Sequence, residues 1–394
     1  MSDYFPTELL IEIFLKLPVK PLIRCTTVCK SWHSLITSPS FICLHISENK
    51  NHALLLRRYD SRDKREHYSL LKVADDGVFA VNSSLELEFP FKSQIGYFRI
   101  VGSCNGLVCL SDDFFANPSQ PLIIWNPSVR NHVVLPKATI NPEQPHIFAV
   151  GFGAAGDDYK VVRLVYCREP DDFGFIVPPQ AEIFSLKTRK WRRVKGVNVR
   201  LQILEFMWSQ VFLKGVVHWL AYESINNDNS RHSSSILGFQ VDKEVFTELL
   251  LPNELVGETV TNLSASLIGE SLGVIKYSRE DGSESCDVWM MKDYDVKESW
   301  TKLYRIDLSK GIERVVAFWK SGEALVVVRE FSLVVYNPET KQTRNLGIHG
   351  TTRSFYIDNY VESLVLLRGH SGAVEEGLIG YALEKLSLDS CCIT

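Results

Sequence analysis

Between Tyr4 and Ile46 apolar residues recur at intervals of one, three and four, whereas beyond His52 they fall into short runs broken by turn residues. One chain is therefore predicted to carry a small helical unit followed by β-structure. In the helical stretch Leu9, Leu10, Ile13, Phe14 and Leu17 paint one face of a helix about three turns long. Pro6 is tolerated in its first turn and Pro18 ends it. A second helix is predicted from Lys20 to Lys30, with Leu22, Ile23, Cys25, Val28 and Cys29 apolar, and a third from Ser31 with Trp32, Leu35 and Ile36. Three short helices enclose little core, so the unit is expected to keep apolar surface for a partner, with Trp32 filling its centre, backing that surface, or both.

The β-region repeats itself. Each copy reads as two apolar strands joined by a tight turn, a looser segment, a third strand and a fourth often closed by Leu-Pro: Arg99 to Pro136, His146 to Lys195, Ser209 to Pro252, Ser264 to Ile306 and Arg314 to Ile348. Trp125, Phe184, Phe239, Trp289 and Tyr336 occupy matching third-strand positions, roughly every fifty residues. Four-strand units at such a period are the pattern of propeller blades. Two strands from His52 to Val73 and two from Ser354 to Leu367 would complete a sixth blade from both ends; a seventh would require Leu85 to Phe91 to contribute separately. Turns between first and second strands are short, whereas second-to-third loops such as Arg168 to Gln180, Glu223 to Ser235 and Arg279 to Ser285 are long. Strand alternation collects the long loops on one face, the expected partner face.

Composition adds limits. Of 394 residues 45% are hydrophobic and 23% charged, with a net charge of −4, values of a water-soluble globular chain without general attraction to nucleic acid or anionic membrane. The opening MSDYF has no basic or apolar leader, and no apolar run reaches the ~18 residues of a membrane span. Nine cysteines scattered among apolar positions fit reduced thiols of cytoplasm or nucleus. Gly151-Phe152-Gly153-Ala154-Ala155-Gly156 matches a dinucleotide fingerprint, but a strand follows it where a helix is needed, so it reads as a hairpin turn. Asp172-Phe173-Gly174 lacks the rest of a kinase signature. Cys25 and Cys29 share a predicted helix face without further metal ligands nearby, and His218 reads as a hydrogen-bonded strand histidine. Cys391 stands fourth from the C-terminus, but the aliphatic and basic context of prenylation is missing. No catalytic, metal or cofactor residue is assigned.

Phe5-Pro6-Thr7-Glu8-Leu9, Leu17-Pro18-Val19-Lys20-Pro21-Leu22, Val28-Cys29-Lys30-Ser31-Trp32 and Leu35-Ile36 together resemble the plant F-box, departing from it in Phe5 for leucine. The remainder is similar to the F-box-associated interaction domain, kelch-like in architecture, in Gly102-Ser103-Cys104-Asn105-Gly106-Leu107, Trp125-Asn126-Pro127-Ser128-Val129-Arg130, Gly151-Phe152-Gly153 and Ser299-Trp300-Thr301-Lys302. The double glycine of true kelch repeats is absent. The resemblance implies a multi-domain chain: an all-α F-box at 1–46, a linker at 47–52, an all-β propeller-like domain of about six four-stranded blades at 53–368 and a tail at 369–394. It also implies a non-catalytic substrate adaptor of an SCF (Skp, cullin, F-box) ubiquitin ligase, reached through a Skp-type adaptor, cullin and RING subunits. Pro6, Leu9, Ile13, Leu17, Pro18, Leu22, Val28 and Leu35 are the candidate Skp contacts, and Phe173, Phe175 and Arg279 the candidate substrate contacts. A propeller ligand sensor and a non-degradative Skp-binding scaffold are the alternatives.

Overall fold

A computed structural model describes residues 6–48, 53–73, 81–93, 96–112, 121–143, 146–168, 176–203, 210–224, 232–280, 283–319 and 322–367. Four helices open the chain: α1 (Thr7–Leu15), α2 (Val19–Cys25), α3 (Lys30–Ile36) and α4 (Pro39–Glu48). The second is shorter than its apolar pattern predicts, because Thr26 and Thr27 turn their hydroxyls onto the carbonyls of Ile23 and Arg24 and the chain leaves the helix there. Cys25 and Cys29 consequently lie on different elements, at the end of α2 and just before α3. The fourth helix is an addition to the predicted three. Its start is set locally: Ser38 caps the Phe41 N–H at 3.2 Å and Pro39 stands at the first helical position.

The described strands form six four-stranded antiparallel sheets. The first five blades begin at Arg99–Cys104, His146–Ala155, Val211–Leu213, Leu263–Ile268 and Ile312–Phe318, and these first strands touch their neighbours in sequence or across the centre, forming the inner ring. The sixth blade closes the ring with Tyr356–Tyr360 inside Ala53–Asp60, Arg65–Val73 and Val81–Glu86. Closure from both termini is as expected, but the division is three strands to one. Val81–Glu86 takes the outer place, no seventh blade forms among the described residues, and residues 361–367 are not a strand. Asp358 and Ser103 hold the seam: the Ser103 N–H donates to Asp358 Oδ2 at 3.2 Å and its hydroxyl to the Asn359 carbonyl at 2.7 Å.

Burial pushes the Asp358 carboxyl up to about 6 from an ordinary 3.8. The folded chain therefore binds this proton more tightly than the unfolded one. Its contribution to stability is complete below about pH 4 and lost as pH rises through 6. Asp358→Asn, which keeps an acceptor for Ser103, should melt above the parent at pH 7.5, with the gap narrowing toward pH 5. A gap that widens on acidification would contradict this in circular-dichroism melts.

Packing between blades explains the glycine-rich hairpin. A Cβ on Gly151 would enter the ring of Trp219, and one on Gly153 the ring of Phe212, both side chains of the next blade. These glycines serve the close approach of two sheets; a hairpin is present as expected, but Gly151 and Gly153 lie in its first strand and the turn itself is at Gly156-Asp157. Gly151→Ala is expected to cost about 1–3 kcal/mol through overpacking, read from a urea denaturation curve. Trp191 and Trp300, each at the start of an outer strand, donate their indole N–H to the carbonyls of Pro136 and Leu250 at 2.8 and 3.0 Å, tying each blade to the Leu-Pro end of the one before. Beneath the first of these ties lies a buried ion pair, Arg163 with Glu182 at 2.6 Å, whose second carboxylate oxygen accepts the N–H groups of Thr139 and Ile140. The pair pins the connection from the first blade to the second.

Candidate functional site

The helical unit exposes what its own core cannot use. Leu10 and Phe14 of α1 point inward to Val19, Leu22, Ile36 and Phe41, with Trp32 half-buried and edge-on to Phe14 at 4.9 Å between ring centres. Trp32 thus packs against this core from its edge rather than filling its centre. The other flank of the same helix carries Leu9 and Ile13, one turn apart and 47% and 49% exposed. Of the five apolar residues that look like one face, Leu10 and Phe14 form a buried flank and Leu9 and Ile13 an open one, while Leu17 lies beyond the end of α1. Pro6 and Pro18 are exposed, Val28 is 62% exposed in the turn before α3, and Leu17 and Leu35 are half-buried. Leu22 is a correction: at 0% exposure it belongs to the module's own core and reaches no partner from this state.

What anchors this unit is a strap formed by residues 361–367. Leu364 inserts into the helical core beside Leu22 and Phe41, joined there by Val129 of the first blade. The Val19 N–H, at the start of α2, donates to Glu362 Oε2 at 3.3 Å. On its other side the strap lies in a socket of the first blade. Asn126 Nδ2 donates to the carbonyls of Ser363 and Val365, both at 2.9 Å; the Ser128 hydroxyl accepts from the Ser363 N–H, and Asn131 Oδ1 from the Leu367 N–H. Gly106 forms the floor, since a Cβ there would strike Ser363 and the Val361 carbonyl, and at φ +77 the turn also favours glycine. The stretches Asn105-Gly106 and Asn126-Pro127-Ser128 are thus structural sockets. Nothing in their composition reveals that, because the strap is more than two hundred residues away in sequence.

The strap fixes the polarity of the molecule. Asn105-Gly106 joins first and second strands and Val129 lies between third and fourth, so the helices sit on the side where those turns collect. Second-to-third loops and blade-to-blade links emerge on the opposite side. Their length varies more than expected: the links Asp60 to Arg65 and Val328 to Ser332 are tight, and the strands ending at Glu280 and beginning at Ser283 stay paired to those ends. Arg279 therefore stands on a strand rather than in a long loop, exposed, with its guanidinium donating to the Glu313 carbonyl of the next blade at 3.2 Å. Phe173 and Phe175, together with the Asp172-Phe173-Gly174 stretch, lie outside the described residues.

Rival chemistries find little purchase. Near the ring's centre the Gln210 amide spans Phe152, accepting from its N–H at 2.6 Å and donating to its carbonyl at 2.7 Å, and it abuts Gly102. His218 is held between the Val211 carbonyl and the Tyr294 hydroxyl at 3.0 and 2.8 Å, and burial lowers it to about 4, so it stays neutral. Among the described residues no cluster of His, Cys, Asp and Glu is arranged for a metal, and no helix is long and apolar enough to cross a membrane. A cleft of about 720 Å³ runs between the fourth and fifth blades, lined by Glu284, Arg305, Asp307, Lys310, Tyr336 and Lys341 among others. Asp307 is engaged by the Ser309 N–H and hydroxyl at 3.0 and 2.6 Å, and Arg305 grips Asp287 through two nitrogens at 2.6 and 2.8 Å.

Comparison with known proteins agrees with this geometry. The F-box domain family matches residues 3–44, and the F-box associated beta propeller domain family residues 66–366. The chain is similar to F-box protein CPR1 of Arabidopsis thaliana, 28% identical over 92% of this chain and 88% of that one. It is also similar to F-box/kelch-repeat protein At3g23880 of the same plant, 26% identical over 84% and 87%. Among solved structures an oligogalacturonate lyase in complex with manganese overlays at a TM-score of 0.41 and 11% identity, covering 74% of this chain and 78% of that one, a likeness from which no activity follows.

Proposed function

We propose that this chain, which belongs to the family of F-box proteins carrying an F-box-associated β-propeller domain, is the substrate-recognition subunit of an SCF-type ubiquitin ligase. An F-box implies a Skp-type adaptor as partner, and the family points to an adaptor role rather than a catalytic one. The observation that carries the proposal is the pairing of an outward apolar stripe, Leu9 and Ile13, with a strap that sets the helices on one side of the propeller. In this reading the helices bind Skp through Leu9, Ile13, Pro6, Pro18 and Val28, and cullin and RING subunits follow. A protein substrate binds the propeller, in cytoplasm or nucleus. The work of the chain is to raise the concentration of a substrate lysine near the ubiquitin-charged enzyme, which needs a rigid link more than it needs chemistry.

Reconstitution tests it. The full chain, co-expressed with a Skp-type adaptor, cullin and RING subunit, should elute from size exclusion as one stoichiometric complex. Elution with the adaptor but without cullin would favour a non-degradative scaffold, and elution alone would overturn the proposal.

A further inference from the structure

Blade two carries a charge pattern unlike the other blades described. From Ile183 to Leu204 the chain has seven basic residues and no acidic one, within a protein of net charge −4. They surround the outer strand Lys190–Arg193, which pairs on one side only, with Gln180–Ser185, and so leaves an edge of backbone groups unused. Six of the seven are exposed. Lys187 is paired with Asp157 at 2.6 Å and Arg192 with Glu244. Lys190, Arg193, Lys195 and Arg200 have no carboxylate partner among the described residues, and burial without a compensating acid lowers Arg189.

The plain explanation is protection: a lysine or arginine on an edge strand discourages pairing with another chain. Other outer strands argue against that as the whole account. Asn131–Val134 carries no formal cation, Val245–Leu249 carries only an acid, and Thr343–His349 has a single arginine, so these edges manage without a one-sign field. A cluster of like charges costs self-repulsion, which an anionic partner would relieve.

We infer that this basic rim is a docking site for an acidic segment of a partner protein, laid along Lys190–Arg193 as an added strand with its carboxylates against Lys190, Arg193 and Lys195. The free edge supplies backbone hydrogen bonds and the cations select the sign of the side chains. Four strand residues span about 13 Å. That length suits a short peptide, and Asp157 and Glu244 bound the patch against a longer polyanion such as nucleic acid. That the segment belongs to a ubiquitylation substrate rests on the adaptor reading; the binding itself does not.

Fluorescence anisotropy with the full chain and two labelled ten-residue peptides, alternating Glu-Thr and alternating Gln-Thr, decides it. At low salt the Glu-Thr peptide should bind at least tenfold tighter than the Gln-Thr peptide. The triple variant Lys190→Glu, Arg193→Glu, Lys195→Glu should lose at least tenfold of that binding, whereas Lys292→Glu, Lys310→Glu, Lys341→Glu, exposed and on other blades, should keep it. Methylating alternate peptide nitrogens should also weaken it tenfold. Equal loss in both triple variants, no preference for glutamate, indifference to N-methylation, or displacement of the peptide by a lower concentration of single-stranded DNA would each overturn the inference. Should the rim variant melt early, Lys190→Gln with Lys195→Gln replaces it with the same expected direction. None of these readouts requires Skp, so failure here leaves the adaptor reading standing, and the reverse.

Discussion

Replacing Leu9 and Ile13 together by aspartate is expected to weaken capture of a Skp-type adaptor by at least about 100-fold while leaving the fold intact. Each side chain is about half exposed, so its removal takes little from the helical core. Truncating an interface leucine or isoleucine costs about 1–3 kcal/mol, and burying a carboxylate against apolar surface adds to it. Two such losses exceed the ~2.8 kcal/mol that a hundredfold represents. Biolayer interferometry with immobilised adaptor gives the affinity, and a thermal melt gives the fold. Retained binding would remove this flank of α1 from the interface. Leu22→Asp is the instructive contrast: at 0% exposure it should unfold the helices, and any loss of binding would then say nothing about contact.

The second large effect is expected at the strap. Leu364→Ala should cost the helical unit about 2–4 kcal/mol, because it deletes a buried leucine from a core of seven buried side chains that has little surplus. Hydrogen exchange should accelerate in α1, α2 and α4, with the inner strands of the propeller unchanged. A Skp-type adaptor would still be captured, since the mutated residue is not among the exposed ones, but transfer of ubiquitin to a bound substrate should fall with the loss of rigidity. Asn126→Ala should reproduce part of this from the propeller side by freeing the Ser363 and Val365 carbonyls. If exchange speeds up uniformly across the chain, the strap is ordinary core and does not act as the anchor of the helices.

Much of this was legible in local pattern. The helical spacing from Leu9 to Leu17, the stop at Pro18 and the repeating strand groups follow from periodicity, which acts over a few residues and needs no knowledge of neighbours. α4 lies beyond the last predicted helix, although Ser38 and Pro39 at its start are local signals. Other features were not legible. Leu9 and Leu10 are adjacent and chemically alike, yet one is open and the other closed, because which flank of α1 faces inward depends on Phe41 and Leu364 arriving from elsewhere. Gly151 and Gly153 read correctly as part of a hairpin, but the reason for glycine there, the close approach of Trp219 and Phe212 from the next blade, could not be read locally.

The amino-acid sequence by itself determined two structural regimes, their boundary near residue 50 and a ring closed from both ends, since each follows from hydrophobic period and repeat. Tertiary structure alone decided the three-to-one division of the closing blade, the strap in its Asn126 socket and the side on which the helices sit. The reason is physical: a period is set by side chains three or four positions apart, but a socket is set by groups that meet only after the chain has closed on itself, and no local pattern encodes that meeting.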